Sequence, residues 1–417
     1  GLGRNVGAAG FRAVPVMTVV TGGITAVPGI LAAGMAAGIK KGDTLDLALI
    51  VSEKEAVVAG VFTTNKVVAA PVVWDRQRLR RGKGRAILAN SGNANACTGR
   101  QGYLDTVKMA ALAAKALDVS PEAVLIGSTG VIGKPLPMDK IEAALPILAA
   151  RLHRNGGEEA AQAIMTTDTT LKMVAASDLI GGRPVTVGGI AKGSGMIHPN
   201  MATMLAFLAT DAQVPRQVLQ RCLRQATERS FNRIPVDGDT STNDMVLCLA
   251  NGLAANRPIK PGSADARRFQ ALLEHVCLDL AKKIAWDGEG ATKLVELSVT
   301  GARTEQDALR VANTIATSSL VKTAWFGEDA NWGRIMAAIG RAGVRIVEDR
   351  IAIRVGHVSI VRRGIGLGQS VEEQANAVMK AREFTVTVDL GLGNAAAIVW
   401  TTDLSTEYIK INASYRS

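Results

Sequence analysis

The chain has 417 residues, and at about 150 residues per domain this length allows two or three domains with large hydrophobic cores. Hydrophobic residues make up 47% and charged residues 20% of the sequence, which is typical of a compact fold and excludes an intrinsically disordered chain. The net charge of +11 favours anionic partners, but only 4% of the residues are aromatic, which argues against a nucleic-acid binder that stacks bases.

Four widely spaced cysteines exclude a disulfide framework and a CxxC metal or redox motif. They are Cys97, Cys222, Cys248 and Cys277. We expect them to be reduced and mostly buried, as in a cytoplasmic protein. No apolar run reaches the roughly 20 residues of a membrane span, so we predict that the protein does not enter a membrane.

The predicted elements alternate irregularly between strands and helices. In chain order they are strands 45–51, 56–62 and 86–90, helices 105–117 and 138–152, strand 183–190, helices 217–230 and 264–285, strand 293–300, helix 333–342, strand 351–361, helix 371–381, and strands 384–390 and 396–401. Asp105 is the expected N-cap of the first helix. Because several strands adjoin without strict β-α-β alternation, the pattern predicts a mixed, layered α/β fold rather than a doubly wound nucleotide-binding fold.

Histidine and metal chemistry find little support in the sequence. None of the four histidines lies in a GxSxG or HExxH motif or in a zinc-binding spacing, so we predict no metal site. Asp237, Asp239 and Asp244 share one loop but lack the ligand order of an EF-hand, and we interpret them as carboxylates that satisfy turn backbone. The basic run 76–85 is interpreted as a solvated face, with polyanion binding as the alternative.

One kind of catalytic site needs no histidine. In an amino-terminal nucleophile enzyme the chain is cut before a Ser, Thr or Cys, and the freed α-amine acts as the base for the adjacent side chain. This amine titrates near pH 8, so a large fraction is neutral at physiological pH. The glycine-containing stretch 192–201, followed by Ala202 and Thr203, fits this description. A threonine after an alanine is common, so this pattern alone leaves the nucleophile open.

A longer motif surrounds this threonine. The stretch 191–207, AKGSGMIHPNMATMLAF, closely resembles the signature of the ornithine acetyltransferase family, also called the glutamate N-acetyltransferase family, of the arginine pathway. Further blocks occur in the family's order at 22–29, 89–99, 128–133, 165–169, 231–244, 287–293, 326–334 and 412–417. The departures are small: Ala330 and Leu171 stand where proline is common, and Ser417 where threonine also occurs.

The resemblance implies a fold, a chain division and a site. The fold is an α-β-β-α sandwich of the kind shared with amino-terminal nucleophile aminopeptidases. Self-cleavage between Ala202 and Thr203 would give an α chain of residues 1–202 and a β chain of residues 203–417, with a C-terminal α/β subdomain from about residue 290. Thr203 would be the nucleophile, and Thr129 and Gly130 would form the oxyanion hole. The implied substrate-contacting positions are Thr166, Lys192, Thr203, Glu289, Asn412 and Ser417.

The resemblance also implies a reaction, the transfer of an acetyl group from N2-acetylornithine to glutamate through an acetyl-threonine intermediate. No resident cofactor is implied, although acetyl-CoA stays open as a second donor. The expected assembly is a cytoplasmic heterotetramer of two α and two β chains, without nucleic acid or membrane partners. Two alternatives stay open: an amino-terminal threonine aminopeptidase or amidohydrolase, and, more distantly, a basic protein that binds polyanions through the 76–85 run.

Overall fold

The computed structural model describes residues 17–197 and 204–414, which form two β-sheets flanked by helices. The first described part contains β1 (Thr18–Val20), β2 (Ile30–Met35), β3 (Leu47–Phe62), α1 (Ala70–Arg78), β4 (Lys83–Asn90), α2 (Gly99–Leu117), β5 (Val124–Ser128), α3 (Met138–Ala150), α4 (Gly157–Ala163), β6 (Lys172–Ile180) and β7 (Arg183–Lys192).

The second described part begins at Met204. It contains β8 (Leu205–Thr210), α5 (Arg216–Arg229), β9 (Met245–Ala250), α6 (Ala264–Trp286), β10 (Leu294–Ala302), α7 (Glu305–Ala316), α8 (Ser319–Phe326), α9 (Trp332–Gly340), β11 (Ala352–Val355), β12 (Val358–Arg362), β13 (Ile365–Gly366), α10 (Gln369–Met379), β14 (Glu383–Asp389), β15 (Ala395–Thr402) and α11 (Thr406–Ser414).

The larger sheet has nine strands in the order β1-β6-β7-β8-β9-β3-β4-β5, with β2 also paired to β3. Its long strand β3 belongs to two halves of the sheet. The first part of β3 pairs with β2 and β4, and residues 57–62 pair with β9. A register shift between Val51 and Ala56 separates the two parts, which is how one strand turns from one half into the other.

The two halves of this sheet pack face to face. Side chains alternate between the faces of a strand, so Phe207 of β8 and Ile50 of β3 meet in the inner hydrophobic layer. The neighbouring residues point outwards: Leu208 packs with α5 and α6, and Leu49 packs with α2 and α3. The layers therefore run helix, sheet, sheet, helix, which confirms the predicted α-β-β-α sandwich.

The second sheet has six strands in the order β13-β12-β11-β14-β10-β15. Strand β10 pairs in parallel with β14 and antiparallel with β15. Helices α7 to α10 share one hydrophobic cluster with this sheet, separate from the clusters of the sandwich. The mixed strand directions again fit the predicted α/β class.

Four predicted elements differ from the structure. The separate strands 45–51 and 56–62 are one strand, β3, and the strand 351–361 is a hairpin of β11 and β12. Helix α2 begins at Gly99, so Asp105 lies inside the helix. There its carboxylate accepts a hydrogen bond of 2.8 Å from the Gln101 amide instead of capping the helix.

The basic run 76–85 has local partners. The Arg78 guanidinium lies 4.2 Å from the centroid of the Trp74 ring, and exposed Lys83 lies 2.7 Å from the Glu55 carboxylate. Such contacts agree with the interpretation of this run as a solvated face.

Three of the four cysteines are buried, as predicted, while Cys97 is exposed, and all four are free thiols. Within the described ranges, no helix combines the length and the apolar character needed to cross a bilayer.

Candidate active site

A cleft opens where β5 and β7 end, at the edge of the sandwich. Its lining residues are Ala94, Thr129, Gly130, Ile132, Thr166, Thr167, Lys192, Gly195, Met196, Ser241, Asn243, Glu289 and Asn412. Every predicted site residue within the described ranges is among them. The other three, Ala202, Thr203 and Ser417, lie outside the described residues.

Thr129 and Gly130 directly follow the last residue of β5. Gly130 has a φ of +131°, in the left-handed region that glycine adopts most readily, and a Cβ at this position would collide with the Gly92 backbone. The backbone N–H of Thr129 donates to the Asn90 carbonyl at 3.0 Å. Of the two donors of Thr129, the hydroxyl is therefore the one that can donate to a ligand.

Lys192 is the last residue of β7 and is 2% exposed. Its ammonium donates to the hydroxyl oxygens of Thr129 at 3.2 Å and Thr166 at 2.9 Å. An ammonium has three N–H donors, so two are used by the described residues and the third can serve a substrate oxygen. Because Lys192 donates to the Thr129 oxygen, the hydroxyl hydrogen of Thr129 is free to donate into the cleft. Burial lowers the pKa of Lys192, and the carboxylate of Asp168 opposes that shift.

A network of buried charged side chains lies next to Lys192. The Lys172 ammonium, with no exposed side-chain surface, lies 2.7 Å from Asp168 and 2.6 Å from Asp287. Asp168 also accepts from the N–H of Gly193 at 2.8 Å and so holds the backbone beside Lys192. Burial by itself raises the pKa of Asp168, but the charges of Lys192 and Lys172 outweigh burial and lower it to about 2. Asp168 is therefore a carboxylate at physiological pH.

Glu289 also lines the cleft. Its carboxylate accepts hydrogen bonds from the Thr167 hydroxyl at 2.7 Å and the Asn412 amide at 2.8 Å. A Cβ at position 195 would collide with this carboxylate, so Gly195 makes room for it. The cleft thus offers both an ammonium and a carboxylate, which suits a ligand that carries both charges.

Removal of the Thr167 hydroxyl tests how Glu289 is oriented. We expect Thr167→Val to lower kcat/KM about tenfold, because a hydrogen bond to a charged group contributes about 1.5–3 kcal/mol. Steady-state kinetics measure the effect, with N2-acetylornithine and glutamate, the substrates that the resemblance implies. Thr167→Ser should restore activity, and Thr170→Val is the matched control, since Thr170 lies in the same segment and is exposed. Equal kinetics for Thr167→Val and Thr170→Val would refute the role of Thr167.

The sequence analysis missed part of this site. Thr167, Asp168 and Asp287 all lie inside motif blocks that the resemblance identified, yet no role was assigned to them. The contacts of Thr167 with Glu289 and of Asp287 with Lys172 join positions more than a hundred residues apart, which spacing along the chain does not show. Within the ranges that the structure describes, no group of three or more His, Cys, Asp or Glu residues could hold a metal ion.

The family model and the relatives that match this chain indicate the same family. The ArgJ family model matches residues 31–417. A protein named arginine biosynthesis bifunctional protein ArgJ from Symbiobacterium thermophilum is 52% identical over 398 residues, which cover 95% of this chain and 99% of the relative. A protein of the same name from Geobacter sulfurreducens is 51% identical, with 94% and 100% of the two chains covered.

Among solved structures, the chain is similar to arginine biosynthesis bifunctional protein ArgJ from Bacillus halodurans. That match has 47% sequence identity and a TM-score of 0.48, and it covers 49% of this chain and 96% of that chain. The family match spans most of the sequence and includes every described residue of the cleft. The chain therefore belongs to the ArgJ family.

Proposed function

We propose that this protein is a glutamate N-acetyltransferase of arginine biosynthesis, which moves the acetyl group of N2-acetylornithine to glutamate through an acetyl-Thr203 intermediate. Family membership supports the reaction class. The observation that carries the proposal is the meeting of Thr129, Lys192 and Glu289 in one cleft. These residues supply a donor for an oxyanion and opposite charges for an amino-acid substrate.

The first half-reaction forms an ester. The Thr203 hydroxyl attacks the acetyl carbonyl and its proton passes to the α-amine of the same residue. Donors at Thr129 and Gly130 stabilise the oxyanion, a role worth about 3 kcal/mol per donor in other acyl-transfer enzymes. The amide C–N bond then breaks, and ornithine leaves with the proton of the α-ammonium.

The second half-reaction regenerates the enzyme. The neutral amine of glutamate attacks the acetyl ester, its proton returns through the α-amine of Thr203, and N-acetylglutamate leaves as the threonine oxygen is protonated again. One site serves both substrates because each has an α-amino-acid core. We assign the free donor of Lys192 to the substrate α-carboxylate and Glu289 to a substrate ammonium or its polar neighbours.

The same threonine is proposed to cut the chain. Its hydroxyl would attack the Ala202 carbonyl, shift the acyl group from nitrogen to oxygen, and leave an α chain of 1–202 and a β chain of 203–417 after hydrolysis. We propose that the β chain carries a C-terminal α/β subdomain from about residue 290, and that two chains of each kind form a heterotetramer in the cytoplasm. Ser417 is proposed to join Thr166 and Asn412 at the substrate.

Mass spectrometry with one substrate tests the ping-pong route. Incubation with N-acetylornithine alone should add the mass of one acetyl group to the 203–417 chain and release ornithine, because the ester forms before glutamate binds. Glutamate added afterwards should remove the label and yield N-acetylglutamate. A label that needs glutamate for its appearance would contradict the intermediate. Free acetate in place of N-acetylglutamate at saturating glutamate would identify a hydrolase instead.

The proposal includes no resident cofactor, with acetyl-CoA as the second candidate donor. A donor screen with glutamate as acceptor separates the two sources. N-acetylglutamate formed from acetyl-CoA alone would assign the second donor to this chain.

A further inference from the structure

The segment that contains the proposed cut has described residues on both sides. Ile197 precedes it and Met204 follows it. Both flanks are hydrogen-bonded to one loop, residues 236–245, which we call the acidic loop. This is the loop whose aspartates the sequence left as turn carboxylates.

On the upstream side, the Asp237 carboxylate accepts from two successive backbone N–H groups, Met196 at 2.6 Å and Ile197 at 2.8 Å. In return, the Ile197 carbonyl accepts from the N–H of Val236 at 2.8 Å and of Asp237 at 3.1 Å. Met196 has a φ of +57°, an unfavourable conformation for methionine that surrounding contacts must hold. Asp237 supplies such contacts.

On the downstream side, the Asp244 carboxylate accepts from the N–H of Met204 at 2.9 Å. The Met204 carbonyl accepts from the N–H of Met245 at 3.2 Å. Asp244 has no exposed surface, and among the described residues its second oxygen, Oδ2, has no hydrogen-bond partner. Burial raises its pKa to about 8, so the protonated form predominates at pH 7.

The acidic loop also reaches the predicted oxyanion hole. The Asn243 amide donates to the carbonyl of Ala94 at 2.6 Å and to that of Ser128 at 2.8 Å. Ser128 directly precedes Thr129. One loop therefore sets the distance between the two flanks of the cut and the groups that would stabilise its transition state.

We propose that Asp237 and Asp244 are positioning residues for self-cleavage, which hold the chain on either side of the Ala202-Thr203 bond against the oxyanion hole. This inference rests on the proposed function, because it assumes the cut. Self-cleavage needs the hydroxyl and the carbonyl in attacking geometry within one short segment, and a displacement of about 1 Å can slow such a reaction a hundredfold. Two anchors on one loop, one on each side of the bond, oppose that displacement.

The test follows cleavage of the full chain over time by gel electrophoresis and mass spectrometry. We expect Asp237→Ala and Asp244→Ala to slow the appearance of the two chains roughly tenfold to a hundredfold. Asp244→Asn should cleave at close to the wild-type rate, because its amide oxygen still accepts the Met204 N–H. The matched control is Asp239→Ala, an exposed aspartate of the same loop, which should cleave like the wild type.

Folding is compared with the uncut Thr203→Ala chain by circular dichroism and thermal denaturation. Slow cleavage of the alanine variants at an unchanged melting temperature supports a positioning role, because a general loss of structure would lower both the cleavage rate and the melting temperature. Normal cleavage of Asp244→Asn supports the same role. If Asp244→Ala does not fold, Asp237→Ala decides the question, because Asp237 is only partly buried. If Asp237→Ala and Asp244→Ala fold and cleave as fast as Asp239→Ala, the inference is wrong while the proposed function still stands. A wild-type chain that stays uncut would overturn the proposed cleavage, and the inference with it.

Discussion

The Thr203→Ala chain is expected to run as a single band of 43.6 kDa with no acetyl transfer. The hydroxyl of Thr203 is the proposed nucleophile of both self-cleavage and transfer, and alanine has none. Without the cut there is also no free α-amine to act as base. Denaturing electrophoresis and an assay for N-acetylglutamate measure the two losses on the same sample.

Thr203→Ser is the control for this result. Serine keeps a hydroxyl at the same position, so we expect the chain to be cut and part of the transfer rate to survive. Two bands from Thr203→Ala would rule out Thr203 as the nucleophile of cleavage, and acetyl transfer by an uncut chain would rule out its amine as the base.

The second large effect concerns stability. Lys172→Met is expected to lower the free energy of unfolding by about 3–5 kcal/mol, because it leaves Asp168 and Asp287 buried without their shared cation. Denaturant titration on the uncut Thr203→Ala background measures it, since unfolding there involves one chain. We also expect the pKa of Asp168 to rise once Lys172 is removed, because Lys172 is one of the charges that lower it.

Lys108→Met is the matched control. Lys108 lies 2.6 Å from Glu142, the same separation as Lys172 from Asp287. The side chains of Lys108 and Glu142 are, however, both about half exposed. Exposed pairs contribute about 0–1 kcal/mol. Similar losses for the two variants would show that burial does not strengthen the Lys172 network.

Local pattern was enough to predict several elements of the fold. Strand β7 and helix α6 were predicted within about two residues of their observed bounds, because their apolar residues recur with a clear period. The start of α2 was misplaced because Gly99 and Gly102 have low helix propensity. The structure shows why glycine is kept there, since a Cβ at position 102 would collide with the Thr98 side chain.

Helix α7 was missed although its sequence contains a start signal. Thr304 accepts a hydrogen bond from the N–H of Asp307 and so caps the helix, a threonine followed three residues later by an acid. The buried residues Ala308, Val311, Ala312 and Ile315 also recur with the helical period. Capping and periodicity therefore both indicated this helix, and neither signal was used.

The candidate site was predicted from the family motif, because the pattern of residue types around Thr203 was not enough by itself. The residues alone left Thr203 open as a nucleophile, and the resemblance assigned it together with Thr129, Lys192 and Glu289, of which the last three line one cleft. The partners of these groups could not be predicted in the same way. Lys172 pairs with a carboxylate 115 residues away, and such a pairing depends on how the sandwich closes.

Strands β7 and β8 lie on the two sides of the proposed cut. Residues 187–192 of β7 pair with residues 205–210 of β8, so cleavage would divide neighbouring strands of one sheet between two chains. The two strands would then be separate molecules that share one hydrophobic core. Unfolding then releases two polypeptides, and refolding requires that they meet again, so the process becomes second order and its midpoint depends on concentration. An uncut chain would refold in a first-order process, so this sheet favours the proposed cleavage after folding rather than before it.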